Sequence, residues 1–261
     1  MIKFVLDGKI LKQFVNCCSV ISNEGLLRIS SDKWRSIISD PANVSMIDIT
    51  LNNDAFEVYE FEKEGEEEEE KKIGLDLNKL ADLLKMAEKE DSVELVIENN
   101  KMNLQIKEGE GRELRYSVLL LDAEVIKKEN DPPQLDPPAQ VIITGSEFNR
   151  ACKAAEKVSK YISLGVEEDS EGGNLFYMEA KGDADSVRLE INRDYLIGMK
   201  AETVRSLFSL EYLDQINKAY SKNSEITLDL GNDYPLRLTF EIADGFGECV
   251  YYLAPRIENY E

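Results

Sequence analysis

The chain has 261 residues, which suits one large domain or two of ordinary size. Hydrophobic residues make up 43% of the chain, enough for a substantial core, so a globally disordered protein is excluded. The formal net charge of −21 argues against nucleic-acid binding, provided that the charge is spread evenly over the surface.

The composition argues against several classes of catalytic chemistry. The sequence contains no histidine, which removes the commonest general base and zinc ligand. Neither G-x-x-x-x-G-K nor G-x-G-x-x-G occurs, so a phosphate-binding loop is not expected. We expect no enzyme activity, no cofactor and no metal. A hydrolase that uses carboxylates alone stays open as an alternative, although no acidic pair stands out.

The cysteines and the apolar runs indicate a reducing, aqueous setting. Cys17, Cys18, Cys152 and Cys249 form no C-x-x-C motif, so we interpret them as small buried thiols. No apolar run approaches the roughly 20 residues that span a bilayer. The first residues, MIKFVLDGKILKQF, lack a signal-peptide pattern. We therefore expect a cytoplasmic protein without a membrane partner.

Four segments have the period of amphipathic helices. In chain order they are 9–21, 77–89, 146–161 and 209–222. In the first, Leu11, Phe14 and Cys18 share one face with Ile10 and Ile21. In the third, we predict Ser146 as the N-cap.

Strands and connecting segments lie between the helices. The run 44–51 is densely apolar, and 224–230 and 236–242 alternate between apolar and polar residues, which predicts strands. The acidic run 60–72 is interpreted as a solvated hairpin tip. The segment 122–140 holds four prolines and has no period, which indicates an extended linker.

The sequence repeats itself. Residues 77–97 align without a gap on 210–230, so that Leu77 coincides with Leu210, and 6–15 aligns on 143–152. Each member of the first pair reads as a short amphipathic helix, a polar turn and a strand, and the two pairs match in the same order along the chain. We therefore predict an α+β fold of two similar domains, each with two helices packed on an antiparallel sheet. A chance match of short amphipathic segments is the alternative.

Charge is distributed unevenly over these segments. The four helical segments total +5, whereas the rest of the chain carries −26. The helices could therefore face an anion that the remaining surface repels. Alternatively, the lysines simply favour helix formation and solubility on exposed faces.

The end of the chain carries the most specific motif. EIADGFGECVYYLAPRIE (241–258) resembles the C-terminal signature of sliding clamps of the proliferating cell nuclear antigen (PCNA) family. SDPANVSMIDITL (39–51) is similar to the family's Asp-x-x-x-Val loop and strand. DGKILKQFV and TGSEFNRAC are similar to its two helix starts. The resemblance covers the whole chain with small gaps and looks archaeal.

The resemblance implies a particular architecture and function. An N-terminal clamp domain would span 1–121, an interdomain connecting loop 122–140 and a C-terminal clamp domain 141–261. Head-to-tail association would form a homotrimeric ring that encircles double-stranded DNA and has no catalytic activity. The implied partners are DNA polymerase, clamp loader, flap endonuclease and DNA ligase, docked through PIP-type peptides.

The resemblance also implies three sets of site residues. The DNA-facing set is Lys9, Lys12, Lys79, Lys85, Lys89, Arg150, Lys153, Lys157, Lys218 and Lys222. The partner-peptide pocket is Ser39, Asn43, Val44, Leu121, Ile126, Leu135, Pro235, Leu236, Tyr252, Ala254, Pro255 and Ile257. The subunit interface is Arg112, Leu114 and Tyr116 on an edge strand at 112–118, with Leu175, Tyr177 and Glu179 on another at 175–181.

Two further points qualify what the resemblance implies. Gln13, Ser19, Asp82 and Glu211 occupy helix positions that are often basic in the family, which implies weaker or more salt-dependent DNA contact. A clamp-like regulatory subunit that works only in a heteromeric ring is the alternative function.

Overall fold

The computed structural model describes residues 2–61, 70–88, 91–108, 111–126, 130–168, 172–200 and 202–257. The strands and helices of the first half of the chain are β1 (Ile2–Asp7), α1 (Gly8–Ser19), β2 (Glu24–Ser30), β3 (Lys33–Ser39), β4 (Ser45–Asn52), β5 (Val58–Glu60), β6 (Glu70–Asp76), α2 (Leu77–Leu84), β7 (Ser92–Glu98), β8 (Lys101–Glu108) and β9 (Arg112–Leu119).

The second half follows the same order. Its elements are β10 (Ala139–Thr144), α3 (Gly145–Ala155), β11 (Tyr161–Glu168), β12 (Asn174–Lys181), β13 (Ser186–Asn192), β14 (Gly198–Lys200), β15 (Val204–Ser209), α4 (Leu210–Ile216), β16 (Glu225–Leu230), β17 (Leu236–Ile242) and β18 (Gly247–Leu253). Among the described residues, no helix has the length and hydropathy needed to cross a membrane.

The chain divides into two compact units. Unit 1 comprises 1–41, 47–132 and 241–249, and unit 2 comprises 42–46, 133–240 and 250–261. Strands β4 and β18 contribute residues to both units.

Unit 1 combines antiparallel strands with the two helices α1 and α2. One sheet has the order β5-β1-β7-β8-β9, and β2 pairs separately with β3 and β6. An aromatic cluster lies in its core, where the Phe4 and Trp34 rings meet edge to face with centroids 4.9 Å apart. Phe56 joins the same cluster, 4.8 Å from Trp34. Such edge-to-face pairs add to the stabilisation that apolar burial supplies.

Unit 2 repeats this arrangement with α3 and α4. Its strands β13-β12-β11-β15 form one sheet, and β14, β10, β16 and β17 pair in that order. The predicted alternation holds, because every apolar residue assigned inward in the two strands is buried: Ile226, Leu228, Leu230, Leu236, Leu238, Phe240 and Ile242.

The repeat is confirmed at the level of hydrogen bonds and register. Gly8 N–H donates to Asp91 O over 2.8 Å, and Gly145 N–H donates to the Ser224 carbonyl over 2.8 Å. Both glycines begin a helix after the first strand of their unit. A Cβ at Gly145 would lie 2.7 Å from Ser221 O, too close for any other residue without movement. The two halves thus share their helix–strand junction.

All four predicted helices form, and all four end earlier than predicted, α1 by two residues at Ser19 and the other three by more. The helices α2, α3 and α4 end at Leu84, Ala155 and Ile216. The apolar pattern continues past two of these ends because the following turns are themselves packed in the core: Ala87 and Tyr220 are both buried. A helix length predicted from apolar periodicity is therefore too long where a buried turn follows the helix.

Two local predictions are wrong. The N-cap of α3 is Thr144 and not Ser146: the Thr144 hydroxyl accepts from Glu147 N–H, and the Glu147 carboxylate accepts from Thr144 N–H. This reciprocal capping box uses the Thr144 hydroxyl and the Glu147 carboxylate, and Ser146 lies inside the first turn of the helix.

The acidic run is not a simple hairpin tip either, since β5 pairs with β1 and β6 pairs with β2. Its residues 62–69 lie outside the described residues.

Candidate DNA- and partner-binding surfaces

Helix α1 presents two lysines that already have partners. Asp7 caps the helix, with Lys9 N–H donating to its carboxylate over 2.6 Å. The Lys9 ammonium lies 3.8 Å from the Asp244 carboxylate, and the Lys12 ammonium donates to Ala87 O over 3.2 Å. The positive charge on this helix is therefore partly satisfied within unit 1.

Helix α2 shows the same tendency. Asp76 caps it by accepting from Lys79 N–H over 2.9 Å. Lys85 is the C-cap residue and not part of the helix body, and its ammonium lies 2.7 Å from the Asp82 carboxylate. Lys89, predicted to face DNA, lies outside the described residues.

Helix α3 and the turn that follows it carry three exposed cations. Arg150 and Lys153 are exposed and one turn apart on the helix, and Lys157 lies in the turn that follows. That turn stays helical in hydrogen bonding, with Glu156 N–H donating to Cys152 O over 3.0 Å and Lys157 N–H to Ala154 O over 3.2 Å. The spacing of three and then four residues puts the three cations on one face.

The two cations assigned to α4 lie beyond its end. Lys218 and Lys222 follow the last helical residue, Ile216. Lys218 pairs with Asp214 over 2.8 Å, whereas the Lys222 side chain is exposed. The Lys222 carbonyl accepts from Ser146 N–H over 2.8 Å, which holds this turn against the start of α3.

Most of the predicted peptide-pocket residues belong to unit 2. Ala254 N–H donates to Val44 O over 2.9 Å, which ties the chain after β18 to the Asn43 turn. Pro235, Tyr252 and Pro255 are half-buried. The remaining unit 2 members differ in exposure. Ile257 is 75% exposed, Leu135 is half-buried, and Leu236 is fully buried and so belongs to the core.

The other predicted pocket residues, Ser39, Leu121 and Ile126, belong to unit 1. Leu121 N–H donates to Gly74 O over 2.9 Å, which attaches the start of the connector to β6. A Cβ at Gly74 would lie 2.7 Å from the Ile126 side chain, so Ile126 packs closely on this glycine. All three residues are half-buried.

One of the two predicted edge strands is an edge. Strand β9 ends its sheet and pairs along one side with β8, so Arg112, Leu114 and Tyr116 lie on an edge strand as predicted. Strand β12 does not end its sheet, because it pairs with β11 on one side and with β13 on the other. The assignment of Leu175, Tyr177 and Glu179 to an edge is therefore wrong.

The uncovered edge strand of that sheet is β13. Its other outer strand, β15, is partly covered, since Asp233 N–H donates to Arg205 O over 3.2 Å and Arg256 N–H to Leu207 O over 2.7 Å. The sequence analysis missed β13, although SVRLEIN (186–192) alternates in the manner of a strand.

Arg188 is the main functional candidate that sequence reasoning overlooked. Its guanidinium lies 4.1 Å from the centre of the Tyr177 ring and 2.7 Å from Glu190, and it also pairs with Glu167. Glu179 lies 3.7 Å away. This network joins β13 to the two strands behind it, so it supports the edge strand from within the sheet.

The cysteines provide neither a metal site nor a reactive thiol in the described structure. All four are buried. Burial raises the pKa of Cys152 to about 12, and it also raises the pKa of Cys18 and Cys249 well above the usual value. Among the described residues, no group of three His, Cys, Asp or Glu side chains is placed to hold a metal ion.

Duplicated α+β units with paired helices and antiparallel sheets define a two-domain clamp fold. Residues 2–128 match the family model "Proliferating cell nuclear antigen, N-terminal domain", and 133–256 match its C-terminal counterpart. The chain therefore belongs to the proliferating cell nuclear antigen family.

Known relatives and a solved structure match this chain over nearly its full length. The DNA polymerase sliding clamp of Methanosarcina barkeri is 43% identical over 259 residues, covering 99% of this chain and all of the relative. That of Natronomonas pharaonis is 36% identical over 260 residues, again covering 99% and 100%. A structure of the C-terminal region of FEN-1 bound to A. fulgidus PCNA superposes with a TM-score of 0.87 at 34% identity, covering 99% of this chain and all of that one.

Proposed function

We propose that this protein is a DNA polymerase sliding clamp, a processivity factor that encircles duplex DNA and docks replication and repair enzymes. The observation that carries the proposal is the end-to-end relationship to DNA polymerase sliding clamps, with neither chain extending far beyond the other. The role requires no catalytic group, cofactor or metal of its own.

The ring is proposed to assemble head to tail from three copies. Strand β9 offers its uncovered side to β13 of a neighbour, with Arg112, Leu114 and Tyr116 on one side of the contact and Val187, Leu189 and Ile191 on the other. Exposed edges of this length are a hazard unless they are paired, and the pairing of two different edges must close into a ring or continue as a filament. The domain bounds that we propose are 1–121 and 141–261, joined by the connector 122–140.

The helical cations are proposed to contact DNA phosphates without reading bases, because a sliding protein must not prefer a sequence. At physiological salt, charges interact over roughly 8 Å, so DNA beside the helices is little affected by distant acidic surface. The net charge of −21 is therefore compatible with this function.

Partner enzymes are proposed to dock through PIP-type peptides on the apolar residues around the connector and the YYLAP segment. The relevant side chains are Ser39, Asn43, Val44, Leu121, Ile126, Leu135, Pro235, Tyr252, Ala254, Pro255 and Ile257. The A. fulgidus relative bound to the FEN-1 C-terminal region supports a flap endonuclease as one such partner. DNA polymerase, clamp loader and DNA ligase are proposed as the others.

A topological assay tests this function. The protein is loaded by a clamp loader with ATP onto a nicked circular plasmid, and the complex is isolated by gel filtration. We expect the protein to stay with the circle and to be lost after the plasmid is cut once. Retention on the linear product, or no retention on the circle, would overturn the proposal. Native mass spectrometry of the protein alone separates a homotrimer from a subunit that needs other chains to close a ring.

A further inference from the structure

The turn between β16 and β17 is hydrogen-bonded to the second half of the connector. Asp136 N–H donates to the Tyr234 hydroxyl over 3.0 Å. Asp136 directly follows Leu135, and Tyr234 directly precedes Pro235. The bond therefore joins the immediate neighbours of two residues that are proposed to bind partner peptides. All four residues belong to unit 2.

The sequence of this part of the connector makes such a bond important. Four of the seven residues in 132–138, PPQLDPP, are proline, which has no backbone N–H. A proline-rich segment favours an extended conformation that has no internal hydrogen bonds. Asp136 precedes Pro137, which also favours extended backbone at Asp136. The position of the segment therefore depends on contacts with other elements, and the bond to Tyr234 is one of them.

Tyr234 is itself held firmly in the turn. Its N–H donates to Ser206 Oγ over 2.9 Å, and the buried Ser206 hydroxyl donates to Gly231 O over 2.7 Å. A Cβ at Gly231 would lie 2.8 Å from the Tyr234 Cβ, so the Tyr234 side chain fills the space that another residue would need there. Asn232 Oδ1 accepts from Arg205 N–H over 2.9 Å, which ties the same turn to β15. The Tyr234 hydroxyl is therefore presented to the connector from a fixed position.

We infer that Tyr234 is a positioning residue for partner docking: its hydroxyl keeps the connector, and with it Leu135, in the conformation that a PIP-type peptide binds. This rests on the proposed docking function. A connector that is ordered in the free protein loses less conformational entropy when a peptide binds. One hydrogen bond shifts the equilibrium between the held and the released connector by about fivefold. The apparent affinity falls in proportion to the fraction of protein that is competent to bind.

The variant Tyr234→Phe tests the inference, because it removes the hydroxyl and keeps the ring on Gly231. Tyr195→Phe is the matched control, since it removes the hydroxyl of a tyrosine of the same unit that is 79% exposed. Calorimetry measures the affinity of each full-length protein for a synthetic PIP-type peptide from the C-terminus of a flap endonuclease. Hydrogen–deuterium exchange of 132–138 is followed in the free proteins by mass spectrometry. Because the other four residues are prolines, only three backbone amides of this segment exchange, and Asp136 N–H is one of them.

We expect Tyr234→Phe to bind the peptide about fivefold more weakly and the Asp136 amide to exchange about fivefold faster, with native mass unchanged. Tyr195→Phe should match the wild type in both measurements. Unchanged or tighter peptide binding by Tyr234→Phe would overturn the inference and leave the docking function standing. Weaker binding without faster exchange of 132–138 would also overturn it, since the hydroxyl would then act in another way. Failure of the wild-type protein to bind the peptide would instead overturn the docking function and the inference together.

Discussion

The guanidinium of Arg188 lies 4.1 Å from the centre of the Tyr177 ring. Because β13 covers β12 through this contact, Tyr177 is only 5% exposed and lies one strand inside the sheet edge. The strand that is free to meet a second copy is therefore the one that carries Arg188, eleven residues further along the chain than 175–181.

This edge assignment predicts which substitutions separate the subunits. Leu189→Glu on β13 and Tyr116→Ala on β9 should each convert the trimer into monomers, since a charge or a lost ring weakens pairing between copies. Light scattering coupled to size exclusion measures the mass. Tyr177→Ala acts on the fold instead, and it should lower the free energy of unfolding by about 3 kcal/mol through loss of a buried ring. Trimers that persist in both edge variants would contradict the assignment.

The peptide surface predicts a selective loss of partner binding. Pro255→Ser should weaken binding of a PIP-type peptide from a flap endonuclease by about tenfold, or about 1.4 kcal/mol, because a half-buried apolar contact becomes polar. Isothermal calorimetry gives the affinity. Tyr195→Ser changes an exposed residue of unit 2 and should leave peptide affinity unaltered. An affinity of the Pro255 variant equal to that of the wild type would place the pocket elsewhere.

The capping box of α3 predicts a difference between two neighbouring hydroxyl residues. Thr144→Ala should lower the free energy of unfolding by about 1 kcal/mol, because Glu147 N–H loses its acceptor. Ser146→Ala should change it by less than about 0.5 kcal/mol. Urea denaturation of the two variants measures both values, and a larger effect at Ser146 would contradict the assigned cap.

The buried thiols predict resistance to alkylation. With the pKa of Cys152 raised to about 12 by burial, very little thiolate is present at neutral pH, and all four cysteines are shielded from solvent. We expect iodoacetamide to leave the folded protein unmodified at pH 7 and to modify all four cysteines after denaturation. Intact mass spectrometry counts the adducts, and rapid modification of the folded protein would show that these thiols are accessible.

Much of the fold was predictable because local patterns determine it. The internal repeat, the four helices and the alternating strands 224–230 and 236–242 all follow from the period of apolar residues, and the structure confirms them. Helix ends were less predictable. Tyr220 is buried in a turn, so its apolar character continued a helical pattern where the backbone had already left the helix.

By itself, the sequence determined which residues face inward, that one α+β unit occurs twice, and which terminal motif ties the chain to its family. Only the tertiary structure decided which strand is an edge and which cations have a partner within the protein. Lys12 meets Ala87 O across 75 positions of sequence, and β12 gains its second neighbour through pairing with β13. The physical reason is that periodicity along a chain identifies a buried face, whereas charge compensation and strand pairing depend on whatever folding brings opposite that face.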